Sequence, residues 1–454
     1  MWTIVKRELL DHLVTLRFSV IFALTFLLMI SAVLIFSGEH ARKMREYPRR
    51  VENFVDEDGK VHLGWIACQG AMVQAAPSPL AFLCAAGDRE LPNEAWLALH
   101  GVSAIERGVE PGDAVVGNGG TDWTYVITVL LSFGAGLLTY KGISGERRDG
   151  TLTLLLANPV SRATLLAAKY LAAFIALGTV LVISIVAGAI LLQMIGAIPL
   201  GADEWGKIAL FGLVALVFLS IFVLTGLACS VWTRSPVLSA VAFLFTWMTL
   251  VFVIPNLGGI LAGLAGSVPS PLQVREAART IPDRYTLTSS MSATDVDRVK
   301  LERESAREQM LLNYLGALTR QVDLGRDLTR ISPASAFAFA AERIAGSGTF
   351  RLARFARNAV EYRRGFLDAV IAADRNDPQS EHRYVPWWCG GTHFSRLTVD
   401  PGPQKEFRDT LPSAGDGVAA AAWDIAALLI SNLIAFALAF WRFVRQDVAP
   451  TPGV

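Results

Sequence analysis

An α-helical polytopic membrane protein, with six transmembrane helices, an N-terminal interfacial helix and two extracytoplasmic domains, is the fold class this sequence predicts. Three observations predict it. Hydrophobic residues make up 53% of the chain and charged residues 18%, with a mean hydropathy of +0.43, well above the balance of a water-soluble domain. Six apolar runs are long enough to cross a hydrocarbon core of ~30 Å as helices, the form in which a backbone in lipid satisfies its own hydrogen bonds. Between them lie two long polar insertions. The formal net charge of +1 gives no reason to invoke nucleic acid or an acidic substrate.

Residues 1–17 come first. Trp2, Val5, Leu9, Leu13 and Leu16 fall at helical spacing opposite Lys6, Arg7, Glu8, Asp11 and His12, the pattern of a helix lying in the membrane interface. A cleaved signal peptide fits less well, because the lead is amphipathic and no small-x-small site follows at Ser37 to Ala41. The first span is 18–36. Residues 37–122 then form a first outward domain broken by Pro48, Pro77, Pro79, Pro92 and Pro111, with Cys68 and Cys84 as a candidate disulfide pair and two buried thiols as the alternative.

The second span, 123–140, carries Ser132, Gly134 and Gly136, a face of small residues for close helix approach within the chain or across a dimer seam. A polar connector, 141–169, leads to the third span, 170–192. GADEWGKI at Gly201 to Ile208 nearly matches a phosphate-binding loop, but Ile208 stands where a hydroxyl would hold magnesium, and Asp203 and Glu204 would repel phosphate. It reads as a loop of coincidental spacing. The fourth span is 208–231 and the fifth 237–265, where Pro255 is expected to kink or end the helix. Asn256 there is a polar group on a transport path or a cap on a broken helix.

Residues 266–417 make a second outward domain, mostly helical. Leu311, Leu315, Leu318 and Val322 share one face, and Leu352, Phe355, Ala359, Tyr362, Phe366 and Val370 another. Ser332-Pro333 predicts a helix start and Gly346 to Gly348 a stop. Arg351, Arg354 and Arg357 line a face that would bind an anion or a partner, or simply be solvated. His382, Cys389 and His393 lack regular ligand spacing, so no metal is assigned. The sixth span is 418–441, with Asp424 as its one charged residue, expected near the outer interface; a tail, 442–454, closes the chain.

Lys and Arg concentrate in the connectors that share a side with the N-terminus, whereas the short loop 193–207 holds only Lys207. This bias predicts a multi-pass protein of the cell inner (plasma) membrane with both termini cytoplasmic. GxSxG, HExxH and CxxC are all missing, so the chain is not read as an enzyme. With no intramembrane carboxylate besides Asp424, energy for transport would come from elsewhere.

The connector carries a resemblance. Glu146, then Gly150-Thr151-Leu152 and a leucine run, then Asn158-Pro159-Val160-Ser161-Arg162 and Lys169, resembles the cytoplasmic loop of type-2 ATP-binding-cassette (ABC) exporter permeases. Lys6 to Leu9 is similar to that family's interfacial helix, with Trp2, Val5, Lys6, Arg7 and Leu9 as its residues here, and the closing Phe443, Arg445, Asp447 and Val448 resemble a common ending. The resemblance implies a membrane subunit that pairs with a second permease chain, identical or related, and is docked by a separate ABC ATPase subunit. This chain would bind no cofactor; ATP and Mg would sit in the partner.

Carried over, Glu146, Arg147 and Arg148 would make charged contacts with the ATPase, Gly150 and Thr151 would permit the turn, and Leu152, Leu154 and Leu155 would be the buried anchor. Pro159 and Arg162 would close the coupling element. The insertions, of 86 and 152 residues, exceed those usual in such exporters and resemble a branch that engages periplasmic or cell-surface proteins. The competing reading is a membrane-anchored scaffold or enzyme acting through its outward domains.

Overall fold

The structure is a computed structural model that describes residues 1–51, 60–62, 71–85, 91–98, 101–106, 122–157, 160–196, 198–265, 290–382, 398–399 and 409–445, with positions 268, 273, 276, 277, 280 and 407. Among these, six helices are long and apolar enough to cross a membrane. The protein is a helical polytopic membrane protein.

Helix α1 is Trp2–Leu13 and α2 is Leu16–Val51. The second runs well past Phe36, the expected end of the first span. Residues 37–46 are mostly good helix formers, and a lone Gly38 costs only about 1 kcal/mol against alanine, too little to stop a helix already propagating.

The second span is a composite rod. Trp123–Val126 passes through a π turn, Ile127–Leu131, into Ser132–Thr139; we call the whole α3. Asp122 starts it by accepting the Tyr125 N–H at 2.7 Å. The small face is used inside the chain. A Cβ on Gly136 would strike the Phe243 ring, and one on Gly226 would strike Thr139 Oγ1, so the second and fourth spans cross at near backbone contact. Ser132 Oγ accepts from Trp247 Nε1 at 2.7 Å.

Two short helices follow, α4 (Ser144–Arg148) and α5 (Thr151–Ala157), then the long spans α6 (Arg162–Ile195) and α7 (Ala202–Trp232). The GADEWGKI stretch is the opening of α7 and not a loop. Glu204 reaches back to the Gly201 N–H at 2.9 Å, and the acidic pair suits the positive end of the helix dipole. Lys207 is buried, with Asp203 at 2.7 Å and the Pro412 carbonyl at 2.6 Å.

The fifth span, α8, comprises Pro236–Met248, a π turn at Thr249–Val253 and Ile254–Ala265. Pro255 does not end it. The π turn shifts the ladder, with the Ile254 N–H bonding the Thr249 carbonyl, so the Leu250 carbonyl would next await an N–H from residue 255, which proline lacks. Ser332 Oγ supplies the missing donor. Asn256 caps no break: it donates to the Phe252 carbonyl of its own helix at 2.7 Å, on an exposed face.

Beyond the spans come α9 (Ala293–Thr329), α10 (Pro333–Ala345) and α11 (Gly348–Asp374), and then the last span, α12 (Ala414–Arg445). Helix α10 has Ser332 as N-cap, Pro333 at its first position and Gly346 at φ +67° as its stop. It packs into the bundle, where Phe337 stacks on Phe218 at 4.7 Å and lies 5.8 Å from Phe211. Helix α7, apolar on every side, is the most enclosed span and α8 the least.

The two insertions share structure. Strands β2 (Ala71–Gln74), β3 (Glu94–Ala98) and β4 (Gly101–Glu106) form an antiparallel sheet, and β1 (Val61–His62) pairs with β5 (Thr398–Val399) from the far end of the second insertion. Val73, Ala95 and Leu97 join Leu352, Phe355, Ala359 and Phe407 in one apolar cluster, with Leu311, Leu315 and Tyr362 against it. The two expected outward domains are therefore built around a common core, because neither insertion alone covers both its strands and its apolar helix faces.

Asp424 is enclosed by protein. It is fully buried, held by Arg330 Nε at 2.7 Å and by Arg343 Nη1, because α9 and α10 deliver two guanidinium groups to the wall of α12. Arg343 also donates to the Ala420 carbonyl at 2.9 Å.

Candidate functional site

The polar connector folds as an elbow, α4 then α5, fastened to the rest of the bundle by three sets of bonds. The turn into α4 leaves backbone N–H groups without helical partners. Ser230, near the end of α7, accepts from the Ile143 and Ser144 N–H groups, each at 2.9 Å, and bonds the Ser144 hydroxyl at 3.1 Å. Three residues on, the Thr233 carbonyl accepts from Arg147 Nη1 at 3.1 Å. The α4 helix is thus pinned along the last turn of α7.

The second fastening is ionic. Lys169, on α6, places Nζ 2.6 Å from Glu146 of α4 and 2.7 Å from Glu8 of α1. Its side chain is only 5% exposed, so one ammonium neutralises two carboxylates away from bulk water. Helix α1 is seated beside it, with Val5 fully buried against Ala168 and Ala172 and with Ile4 and Leu9 on the same face. Trp2 and Leu13 remain exposed, an apolar edge suited to the acyl boundary. The third fastening joins the start of α6 to the end of α12: Arg162 Nη1 donates to the carbonyls of Phe443 at 3.2 Å and Val444 at 2.8 Å, satisfying acceptors that the end of α12 leaves open.

The residues expected to act together divide into two groups. Glu146, Arg147, Arg162 and Leu152 face inward; Leu152 is 2% exposed within the bundle core and is spent there. Arg148, Thr151 and Leu154 face outward, with Leu154 70% exposed and Arg148 paired to Asp149 at 3.0 Å. Leu155 lies between the two. The anchor of three leucines is therefore one internal residue and an outer edge. Gly150 takes φ +73° between the helices with open space at its Cβ position, so it is needed there for backbone conformation and not for clearance. Pro159 lies outside the described residues.

Sequence reasoning placed Glu8 only on the polar face of α1 and gave no role to Ser230 or Thr233. Lys169, at the threshold of an apolar run, signals that a carboxylate must accompany it into the wall; nothing in the sequence marks a serine at the end of a span as a cap for another helix. Elsewhere, Cys84 is buried with its thiol 3.9 Å from the Ala338 carbonyl, while Cys68 lies outside the described residues. Arg351 reaches the Ala76 carbonyl at 3.4 Å, Arg354 lies 3.8 Å from Asp416 and Arg357 bonds its own helix, so that face serves intrachain contacts. His382 Nδ1 is 3.0 Å from Asp374; Cys389 and His393 lie outside the described residues, and among those described no group of His, Cys, Asp and Glu could hold a metal ion.

The elbow's geometry is that of a lever. A force on its outer edge would pass through α4 into α6 and α7 and through Lys169 into α1. A family model described as ABC-2 family transporter protein matches residues 2–448. No curated protein matches the chain.

Proposed function

From the premise that the chain belongs to the ABC-2 transporter family, as a permease subunit, we propose that it couples ATP hydrolysis in a separate ABC ATPase to movement of substrate or of its own outer body. The observation that carries this reading is the elbow: an exposed edge at Arg148, Thr151 and Leu154, backed by bonds to two spans, α6 and α7, and through Lys169 to α1. Chemistry is left to the partner, which holds ATP and Mg. The chain works beside a second permease subunit in the inner membrane, with the elbow and both termini in the cytoplasm, as the distribution of Lys and Arg supports. The outer body, built from both insertions and locked to the bundle through Asp424, would carry the stroke to a partner outside.

The test is direct. Leu154→Asp, at an exposed position, leaves the fold intact and weakens assembly with a co-expressed ATPase by about tenfold or more, the loss of a buried apolar anchor; ATP turnover of the complex falls with it. Unchanged assembly and turnover would overturn the docking role. Labelling of Arg148→Cys from outside intact cells would overturn the orientation.

A further inference from the structure

The elbow's three fastenings differ in stiffness. Ser230 is fully buried, and a single side-chain torsion separates its Oγ from the backbone of α7. It accepts from two backbone N–H groups, those of Ile143 and Ser144, at 2.9 Å each, so it ties backbone to backbone with little slack. Lys169 reaches Glu8 and Glu146 through a flexible stem, and both carboxylates stay partly wet. Arg162 grips the end of α12 from the start of α6, beyond the elbow itself. Of the three, the Ser230 joint yields least when α4 is displaced.

Helix α7 extends that joint outward. Counting back from Ser230 in steps of four, the ridge along which helices interlock, gives Gly226, Phe222 and Phe218. Gly226 lies at near backbone contact with the second span. Phe222 and Phe218 are fully buried, their ring centroids 5.0 Å apart, and Phe218 stacks on Phe337 of α10 at 4.7 Å. From Ser230 to Phe218 the ridge covers about 18 Å of helix axis. Close-packed interiors transmit strain because they compress little. Past α10 the contacts enter the outer body: Glu342 pairs with Arg326 of α9 and accepts the Thr349 hydroxyl at 3.1 Å and the Phe350 N–H at 3.4 Å, both from α11.

We infer that Ser230 is a positioning residue: it admits a stroke on the elbow to α7, whose ridge hands it through Phe218 to Phe337 and the outer body, while Lys169 moves α1 separately. This role rests on the docking of an ATPase at the elbow's outer edge and adds the route by which docking is felt outside.

The test follows amide hydrogen exchange of α1 and α10 in the complex with a co-expressed ATPase, with and without ATP and Mg. In the wild type both helices are expected to change their exchange rates when ATP turns over. Ser230→Ala is expected to cut the change in α10 about fivefold, the equilibrium weight of one net hydrogen bond, while α1 keeps its change through Lys169. Ser230→Cys, similar in size with a weaker acceptor, is expected to cut it about twofold and stands in if the alanine variant fails to fold. A Ser230 variant whose α10 responds as the wild type does would overturn the proposal. Loss of both responses would make Ser230 a merely structural residue and overturn it equally, as would a wild-type complex in which ATP turnover leaves α10 unchanged. Failure of the wild type to assemble with the ATPase reads differently: it removes the docking, and this route with it.

Discussion

Replacing Lys169 by methionine removes one charge and strands two. Glu8 and Glu146 are each held within 2.7 Å of the same Nζ, so their facing oxygens lie within about 5.5 Å of each other. At about 5 Å and an effective dielectric near 20, two unit charges repel by about 3 kcal/mol. Glu146 Oε2 is already buried without a hydrogen-bond partner, so losing Lys169 leaves the desolvation of that carboxylate unrelieved. Because both carboxylates keep about a fifth of their side-chain surface wet, 22% and 19%, the net cost stays at about 3 kcal/mol, the low end for a broken buried pair. The assay is thermal unfolding of the purified chain with the Lys169→Met, Lys169→Met/Glu146→Gln and Lys169→Arg variants. Lys169→Met should melt several degrees below wild type, and adding Glu146→Gln should recover much of the loss by removing the repulsion. A double variant no more stable than Lys169→Met would refute the view that charge, and not the packing of the lysine stem, holds α1, α4 and α6 together.

Burial pushes the Asp122 carboxyl up to about 6 against the pull of the Ala85 and Tyr125 N–H groups. A carboxyl raised on folding favours the folded state most below its ordinary range, and that contribution, about 1–2 kcal/mol, is lost as pH climbs through 6; the melting temperature of wild type relative to Asp122→Asn should fall between pH 5 and pH 7, and a constant difference would refute it. His12, lowered by burial, acts in the opposite direction in both proteins and cancels in that difference. Gly226→Ala should destabilise by about 1–3 kcal/mol, since its Cβ would meet Thr139 Oγ1, and Thr139→Ala should recover part of the loss in a double-mutant cycle. Asp424→Leu, leaving Arg330 and Arg343 facing an apolar wall, should cost about 3 kcal/mol by chemical denaturation, and Asp424→Asn less.

Much of the fold was legible because bilayer thickness and backbone hydrogen bonding leave few ways to read six long apolar runs. Helix ends marked by local chemistry, such as Ser332-Pro333 and Gly346, were legible for the same reason: the cap lies within the segment it terminates. The elbow's place could be read from its alternation of charge and leucine, but the facing of each residue could not. Whether Leu152 or Leu154 points into the bundle depends on where α4 is pinned, and Ser230 and Thr233 do the pinning from some 80 residues away. The partners of Asp424 could not be read either, because Arg330 and Arg343 arrive from helices assigned to another domain.

The donation from Ser332 to the carbonyl orphaned by Pro255 bears on how the protein is made. A strand of backbone cannot rest in hydrocarbon with an open acceptor, and the group that closes this one lies 82 residues further along. Span five is therefore completed only when Ser332, in the segment beyond it, has folded back against it. Completion of this span waits on the chain's own later sequence, so a chain shortened after Ala265 would lack the group that closes the Leu250 carbonyl.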